Sequence, residues 1–170
     1  DTHCHVLNEY YDDKKKILDN AKEQGVLRII NAGYNMASSL EVIEDVKKYD
    51  NVYGVVGLHP ENCLEEFDYK IFDNLPSKIV GIGEIGLDYH YGKENKDEQI
   101  VIFERQLEIA ERLNLPVVIH SRDATLDTIE ILKRHKVNGV IHSFSGSYET
   151  ACIYIKMGFV LGVNGVVTFK

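Results

Sequence analysis

The feature that most constrains the fold is a regular alternation of two kinds of segment. Short runs rich in valine and isoleucine occupy residues 27–32, 52–58, 79–87, 116–119, 139–141 and 159–167. Longer segments with apolar residues at helical spacing lie at residues 13–24, 38–49, 61–75, 97–114, 124–134 and 148–157. Strands and helices in alternation predict parallel strands joined by crossover helices. The strand candidates are apolar throughout, which is typical of an α/β sheet buried on both faces.

Two architectures fit this order of elements, an open doubly wound sheet and a (β/α)8 barrel. Residues 1–5 resemble the end of a further strand, which gives seven strand candidates. A complete barrel typically takes about 250 residues, whereas this chain has 170. A barrel therefore requires that the eighth strand is missing. We expect residues 1–170 to be a single barrel domain that is truncated at both ends.

Local signals predict where several helices begin and end. The helix over residues 13–24 is expected to stop at Gly25, a natural C-terminal cap. The helix over residues 38–49 is expected to open with a capping box of Ser38 and Glu41, and to bury Leu40. The charge run at residues 12–16 is expected to be a solvated first helical turn.

Composition excludes several classes of protein. Hydrophobic residues make up 44% and charged residues 27%, as in ordinary globular domains. No apolar run approaches the roughly 20 residues of a membrane helix. A formal net charge of -8 argues against an extended basic groove for nucleic acid, but it allows a small site where metal ions face a phosphate. Three cysteines without a CxxC pair favour reduced thiols and a cytoplasmic location.

Five of the seven histidines lie at or just beyond the C-terminal ends of strand candidates, where parallel α/β folds place their ligand sites. They are His3, His5, His59, His120 and His142. His3 and His5 are two residues apart, so in a strand both can point to one metal ion. Cys4 then points the opposite way and is expected to be a packed thiol.

Glu84 is the only carboxylate in the apolar and glycine-rich run at residues 80–87. A lone buried carboxylate costs several kcal/mol unless it is paired or bound to a cation. Bonds to backbone or to Arg122 would satisfy it. The converging histidines favour instead a carboxylate shared by two metal ions. Imidazole and carboxylate ligands suit Zn, Mn, Fe or Ni, and Mg less well.

Two further residues are candidates for contact with a substrate. His59 precedes Pro60 and is expected to bind substrate or the nucleophilic water, with a helix-entry role as the alternative. Arg122 is a candidate phosphate contact together with the turn at residues 143–146. The alternative for Arg122 is an ion pair with Asp88 or Asp123.

A glycine motif at residues 81–86 matches the dinucleotide-binding pattern G-x-G-x-x-G. That fingerprint must open a helix directly after its strand. Residues 87–96 have no helical apolar stripe, so we disfavour a nicotinamide-dependent oxidoreductase.

Six motifs resemble, in order and along the whole chain, those of the TatD-related family of metal-dependent hydrolases. They are DTHCH at residues 1–5, GLHP at 57–60, GEIGLDY at 83–89, IHSR at 119–122, HSFSG at 142–146 and NGVVTFK at 164–170. The resemblance implies an incomplete TIM barrel of the amidohydrolase superfamily. It also implies a deoxyribonuclease that cleaves DNA with two divalent metal ions, Mg, Mn or Zn.

The resemblance also implies roles for individual residues. The metal ligands would be His3 and His5 for the first ion, Glu84 between the ions, and His120 and His142 for the second. Glu84, His59 and Arg122 would be catalytic, with Asp88 in support. The family's further aspartate after the eighth strand has no counterpart before Lys170, so weak first-metal binding and self-association are expected.

Other readings stay open from the sequence. A related hydrolase could act on an amide, a lactone or a phosphate monoester, because fold does not decide chemistry. A carboxylated lysine bridge would favour that branch, but no lysine lies at a strand end. A third reading is a metal-binding fragment without turnover.

Overall fold

A computed structural model describes residues 1–169 of the chain. Six strands are present, β1 (Ile29–Ala32), β2 (Val52–Val56), β3 (Ile79–Asp88), β4 (Val117–Arg122), β5 (Gly139–Ile141) and β6 (Phe159–Leu161). Five α-helices alternate with them, α1 (Lys14–Glu23), α2 (Met36–Lys48), α3 (Lys96–Leu113), α4 (Thr125–Leu132) and α5 (Tyr148–Lys156). None of the helices in these residues combines the length and apolar character needed to cross a membrane.

All six strands are parallel, and their order in the sheet is their order in the sequence. A doubly wound sheet reverses its strand order at a switch point, and this sheet does not. Crossovers between parallel strands are almost always right-handed, so helices that join successive neighbours lie on one face of the sheet, as in a barrel wall. The seventh strand candidate, residues 1–5, pairs beside β1 through a single parallel bridge between Cys4 and Asn31.

The two faces of the sheet differ in their packing. The larger core lies between strands and helices, where Ile85, Phe103 and Leu107 are fully buried. On the other face Ala32, Val55 and Val118 form a small cluster, beside an apolar groove of about 770 Å³. Strand residues alternate between the faces, so the sheet that was predicted to be buried on both faces is densely covered on the helix side alone.

The glycine motif at residues 81–86 lies inside β3, and the next α-helix begins only at Lys96. The glycines serve close packing of neighbouring strands, because a Cβ at Gly83 would lie 2.7 Å from the Cβ of Val118. This placement agrees with the prediction that the motif is not a dinucleotide-binding site.

Two predicted elements were wrong. Residues 61–75 do not form an α-helix but carry two short 3-10 helices, Pro60–Asn62 and Tyr69–Asp73. The strand predicted over residues 159–167 ends at Leu161. Beyond Gly162, the Asn164 side chain accepts a hydrogen bond from the Val166 N–H, and Gly165–Thr168 becomes a 3-10 helix.

The start of α2 and the first turn of α1 also differ from expectation. Asn35, not Ser38, caps α2, and Ser38 completes the capping box from the third helical position. Leu40 is 48% exposed instead of buried. Lys14 is not solvated, since its Nζ lies 2.7 Å from carboxylate oxygens of Asp45. Gly25 does follow the end of α1, in the left-handed region at φ +87°.

Candidate metal centre

Glu84 lies on β3 at the centre of the site and is only 5% exposed. Its Oε2 faces the Nε2 atoms of His3 at 3.2 Å and His5 at 3.8 Å. Its Oε1 faces Nδ1 of His120 at 3.1 Å and Nε2 of His59 at 4.0 Å. The structure therefore brings four of the five predicted histidines to the two oxygens of one buried carboxylate.

On the Oε2 side two imidazole nitrogens lie close together. The Nε2 atoms of His3 and His5 are 3.2 Å apart. Nδ1 of His5 lies 2.9 Å from the carbonyl oxygen of Ala32, which can only accept, so the neutral ring carries its proton there. The Nε2 lone pair of His5 is left for a cation. Within residues 1–169, buried Nδ1 of His3 has no hydrogen-bond partner.

On the Oε1 side His120 is held between two carboxylates. Its Nε2 lies 2.8 Å from Oδ2 of Asp88, which is fully buried. Burial lowers the pKa of His120, but the hydrogen bonds to Glu84 and Asp88 outweigh it and the pKa is raised. Burial opposes ionisation of Glu84, yet the bonds to His120 and His3 hold its pKa well below the usual value. A carboxylate that orients a histidine in this way is common beside bound metals.

His59 faces the site as a hydrogen-bond donor. The backbone N–H of Glu61 donates to its Nδ1 at 3.2 Å, so a neutral ring carries its proton on Nε2. Burial lowers the pKa of His59 to about 4, which keeps the ring neutral at pH 7. An Nε2–H cannot ligate a metal, but it can donate to a substrate oxygen or to water.

His142 follows β5 and stacks on His3, with ring centroids 3.6 Å apart. Burial lowers its pKa to about 4. Two groups in the described residues have ligand atoms close enough for one ion, namely His3, His5 and Glu84, and His59, Glu84 and His120. His142 is in neither group, so its assignment to the second ion stays a prediction.

Arg122 ends β4 and is exposed, with its guanidinium over the ring of Tyr91 at 4.7 Å. In the described part of the chain it forms no ion pair with Asp88 or Asp123, and Asp123 pairs with His90 at 3.0 Å instead. Arg122 lines a cavity of about 520 Å³ together with Glu84, His59, His120, His142, Ser143 and Ser145. Arg122 therefore lies beside the histidine cluster, where its guanidinium can bind an anion.

Cys4 points away from the cluster, as expected. Its Sγ donates to the carbonyl oxygen of Ile30 at 3.5 Å, and its side chain packs against the larger core. Burial raises the pKa of the thiol to about 11. The prediction that Cys4 points away from His3 and His5 is therefore confirmed.

Three buried amide side chains next to the site were not predicted from the sequence. Asn31, Gln99 and Gln106 are at most 1% exposed. Each exchanges hydrogen bonds with a backbone N–H and C=O, those of Val6, Asp88 and Leu58 respectively. Their partners are distant in sequence, so no local pattern could have revealed them.

Histidines and a buried carboxylate at the C-terminal ends of sequentially ordered parallel strands define a metal-dependent hydrolase of the barrel type. The family model for the TatD related DNase matches residues 1–170. The chain therefore belongs to the TatD family of metal-dependent hydrolases, and the predicted resemblance is confirmed.

Relatives and solved structures agree with this placement. The uncharacterized metal-dependent hydrolase YabD of Bacillus subtilis is 40% identical, over all of this chain and 70% of its own length. The crystal structure of the TatD homologue YjjV from Escherichia coli superposes with a TM-score of 0.93 at 32% identity, covering 99% of this chain and 69% of that one. The fold is thus that of the TatD TIM barrel.

A more distant structure shows the fold alone. An uncharacterized amidohydrolase from Saccharomyces cerevisiae superposes with a TM-score of 0.75 at 24% identity, covering 90% of this chain and 61% of that one. The wall of six strands is therefore shared with a protein of different sequence.

Proposed function

We propose that this chain hydrolyses phosphodiester bonds of DNA with two divalent metal ions, one on each side of Glu84. One observation carries the proposal: the two oxygens of a buried carboxylate face two separate sets of imidazoles. Such a carboxylate can be shared by two ions a few Å apart, as two-metal hydrolases require. The family description, a TatD related DNase, supports DNA as the substrate.

The residues present fit divalent ions. Two imidazole Nε2 atoms 3.2 Å apart next to a carboxylate, one of which carries a lone pair because His5 holds its proton on Nδ1, form a donor set that suits a divalent cation. His3, His5 and Glu84 would hold one ion. Glu84, His120 and His142 would hold the other, with His120 oriented by Asp88. Imidazole with carboxylate favours Mn or Zn over Mg.

Bound ions would supply an activated water and positive charge at the departing oxygen. The remaining tasks fall to the chain itself. The Nε2–H of His59 would donate to a phosphoryl oxygen or to the attacking water. The Arg122 guanidinium can bind a non-bridging oxygen and counter its charge. The cavity of about 520 Å³ gives both side chains access to the same substrate group.

The acidic composition does not oppose this function. The net charge of -8 is spread over the whole chain. Two divalent ions would add about four positive charges at the site itself, where the phosphate binds. A cytoplasmic location remains a prediction, supported by three cysteines that are unpaired in the structure.

The test is a substrate panel in the presence of Mn²⁺ or Zn²⁺. A labelled oligodeoxynucleotide and bis(p-nitrophenyl) phosphate represent phosphodiesters, and p-nitrophenyl phosphate, an amide and a lactone represent the alternatives. We expect cleavage of the two phosphodiesters, and its loss when a chelator is added. Faster cleavage of the monoester, amide or lactone would overturn the phosphodiesterase assignment. No turnover of any substrate would favour a metal-binding chain without activity.

A further inference from the structure

The buried face of α3 is not entirely apolar. Phe103 and Leu107 are fully buried, but Gln99 and Gln106 are buried with them. A buried amide costs free energy unless its N–H and C=O groups are both bonded. Both glutamines meet this condition through backbone groups at the edge of the candidate metal centre, Gln106 through Leu58 and Gln99 through Asp88 and Gly92.

Gln106 holds the residue before His59. The N–H of Leu58 donates to its Oε1 at 2.7 Å, and its Nε2 donates to the Leu58 carbonyl at 3.0 Å. Strand β2 ends at Val56, so Leu58 lies beyond the hydrogen-bond ladder of the sheet. The Gln106 amide replaces the missing ladder partner and fixes the peptide from which the His59 ring extends.

Gln99 holds Asp88 in the same way. The N–H of Asp88 donates to its Oε1 at 2.8 Å, and its Nε2 donates to the Asp88 carbonyl at 2.9 Å. The Asp88 carboxylate in turn lies 2.8 Å from Nε2 of His120. The orientation of the His120 ring thus depends on a residue that Gln99 clamps by its backbone.

The two glutamines are seven residues apart, which is about two helical turns and places them on one face of α3. One rigid helix therefore sets the ends of two neighbouring strands, β2 and β3. We infer that Gln99 and Gln106 are positioning residues, which hold His120 through Asp88 and hold His59 for the hydrolysis. The inference rests on the proposed function.

We expect the two glutamines to affect different quantities, Gln106 the value of kcat and Gln99 the affinity for metal. Gln106→Met keeps the length of the side chain but removes both bonds to Leu58. We expect kcat to fall about 10- to 100-fold, with KM and the number of bound ions unchanged. Gln99→Met frees Asp88, and we expect Mn²⁺ affinity to fall about 10- to 100-fold.

A purely structural role would produce different results. Phe103→Leu is the matched control, because Phe103 is fully buried on the same helix between the two glutamines. We expect it to lower the melting temperature while kcat and Mn²⁺ affinity stay unchanged. In the double variant Gln106→Met/His59→Ala, we expect kcat no lower than in His59→Ala alone, because Gln106 acts through His59.

Two measurements do not depend on turnover. The ¹⁵N signals of the His59 ring, assigned by comparison with His59→Ala, should shift or broaden in Gln106→Met and stay in place in Phe103→Leu. Calorimetry with Mn²⁺ alone measures the effect of Gln99→Met.

The inference is overturned if both glutamine variants behave like Phe103→Leu, or if the kcat losses of Gln106→Met and His59→Ala simply multiply. If the wild-type chain cleaves no phosphodiester, the proposed function fails instead, and the ring signals and calorimetry still decide the positioning roles. If Gln106→Met does not fold, Gln106→Glu retains the acceptor for the Leu58 N–H and takes its place in the same measurements.

Discussion

The two sides of Glu84 use the same residue types but are satisfied in different ways. On the Oε1 side, both ring nitrogens of His120 are bonded, one to Glu84 and the other to Asp88. On the Oε2 side, His3 and His5 turn their Nε2 atoms toward each other, and His3 Nδ1 has no partner among residues 1–169.

The difference shows how a site can be ordered by protein on one side and depend on a cation on the other. The Oε1 side belongs to β3 and β4, whose partner residues are fixed by the sheet and by the buried Asp88. The Oε2 side belongs to residues 1–5, a short segment at the edge of the sheet that bonds to β1 through the backbone of Asp1 and Cys4. A cation there would supply bonds that the chain itself does not make.

The change that breaks both sides at once is Glu84→Gln. An amide cannot supply two anionic oxygens, so both ions should be lost. Several kcal/mol of charge stabilisation corresponds to a loss in kcat/KM on the order of 1,000-fold. Metal-dependent hydrolysis and elemental analysis measure the two effects. The exposed Glu66→Gln is the matched control and should behave as wild type. Activity that survives in Glu84→Gln would remove Glu84 from the role between the ions.

Adding metal should affect the two sides unequally. At a free Mn²⁺ concentration of about 100 times Kd, each site should add about 2.7 kcal/mol to the free energy of unfolding. Hydrogen exchange should slow most at residues 1–6 and least at residues 84–88, because the latter are already bonded in the sheet. Equal protection of both segments would contradict the difference between the two sides.

Replacing one histidine on each side tests the comparison directly. His3→Ala and His120→Ala should each lower the count from two ions to one. In the metal-free state His120→Ala also leaves Oδ2 of the buried Asp88 without its partner, so it should cost about 1–3 kcal/mol in urea unfolding. His3→Ala should cost less, because only the Nε2 of His3 faces a carboxylate, whereas both ring nitrogens of His120 do. A larger cost for His3→Ala would reverse the assignment of which side is held by protein.

Arg122→Ala should leave both sides intact while weakening the substrate complex. A hydrogen bond from a charged group contributes about 1.5–3 kcal/mol, which corresponds to at least a tenfold rise in KM for a phosphodiester. Mn²⁺ binding should be unchanged. Arg122→Lys serves as the charge-retaining control. An unchanged KM in Arg122→Ala would remove the arginine from the substrate site.

Cys4→Ala should have the smallest effect. The thiol faces the core and not the histidines, so metal count and affinity should equal those of wild type. The free energy of unfolding should fall by no more than about 1 kcal/mol. A large loss of metal would show that the thiolate is a ligand and that the geometry of the first strand segment differs.

The sequence was sufficient to predict which residues gather at the C-terminal ends of the strands. β5 ends directly before His142 as predicted, whereas β4 continues through His120 to Arg122. The isolation of Glu84 among apolar residues predicted a buried charge that needs partners. These signals are local, because the type of residue and its place in a strand fix the direction of the side chain.

What the sequence did not reveal depends on contacts between distant segments. Gln99 and Gln106 look like polar positions on an amphipathic helix, since their partners lie 11 and 48 residues away. Lys14 looks like a solvated charge in the sequence for the same reason. Its acidic partner Asp45 lies on a different helix, α2. The α-helix predicted over residues 61–75 does not form. Its apolar pattern is weak, and short 3-10 helices accommodate that pattern instead.

The most direct test of the account is the number of metal ions bound by the wild-type chain. The chain is equilibrated with Mn²⁺ or Zn²⁺ at a free concentration well above the Kd, and the bound metal is counted by elemental analysis with Glu84→Gln in parallel. The account predicts two ions per wild-type chain and none in the variant. One or no ion in the wild type, or the same count in both proteins, would contradict a two-metal centre built on Glu84.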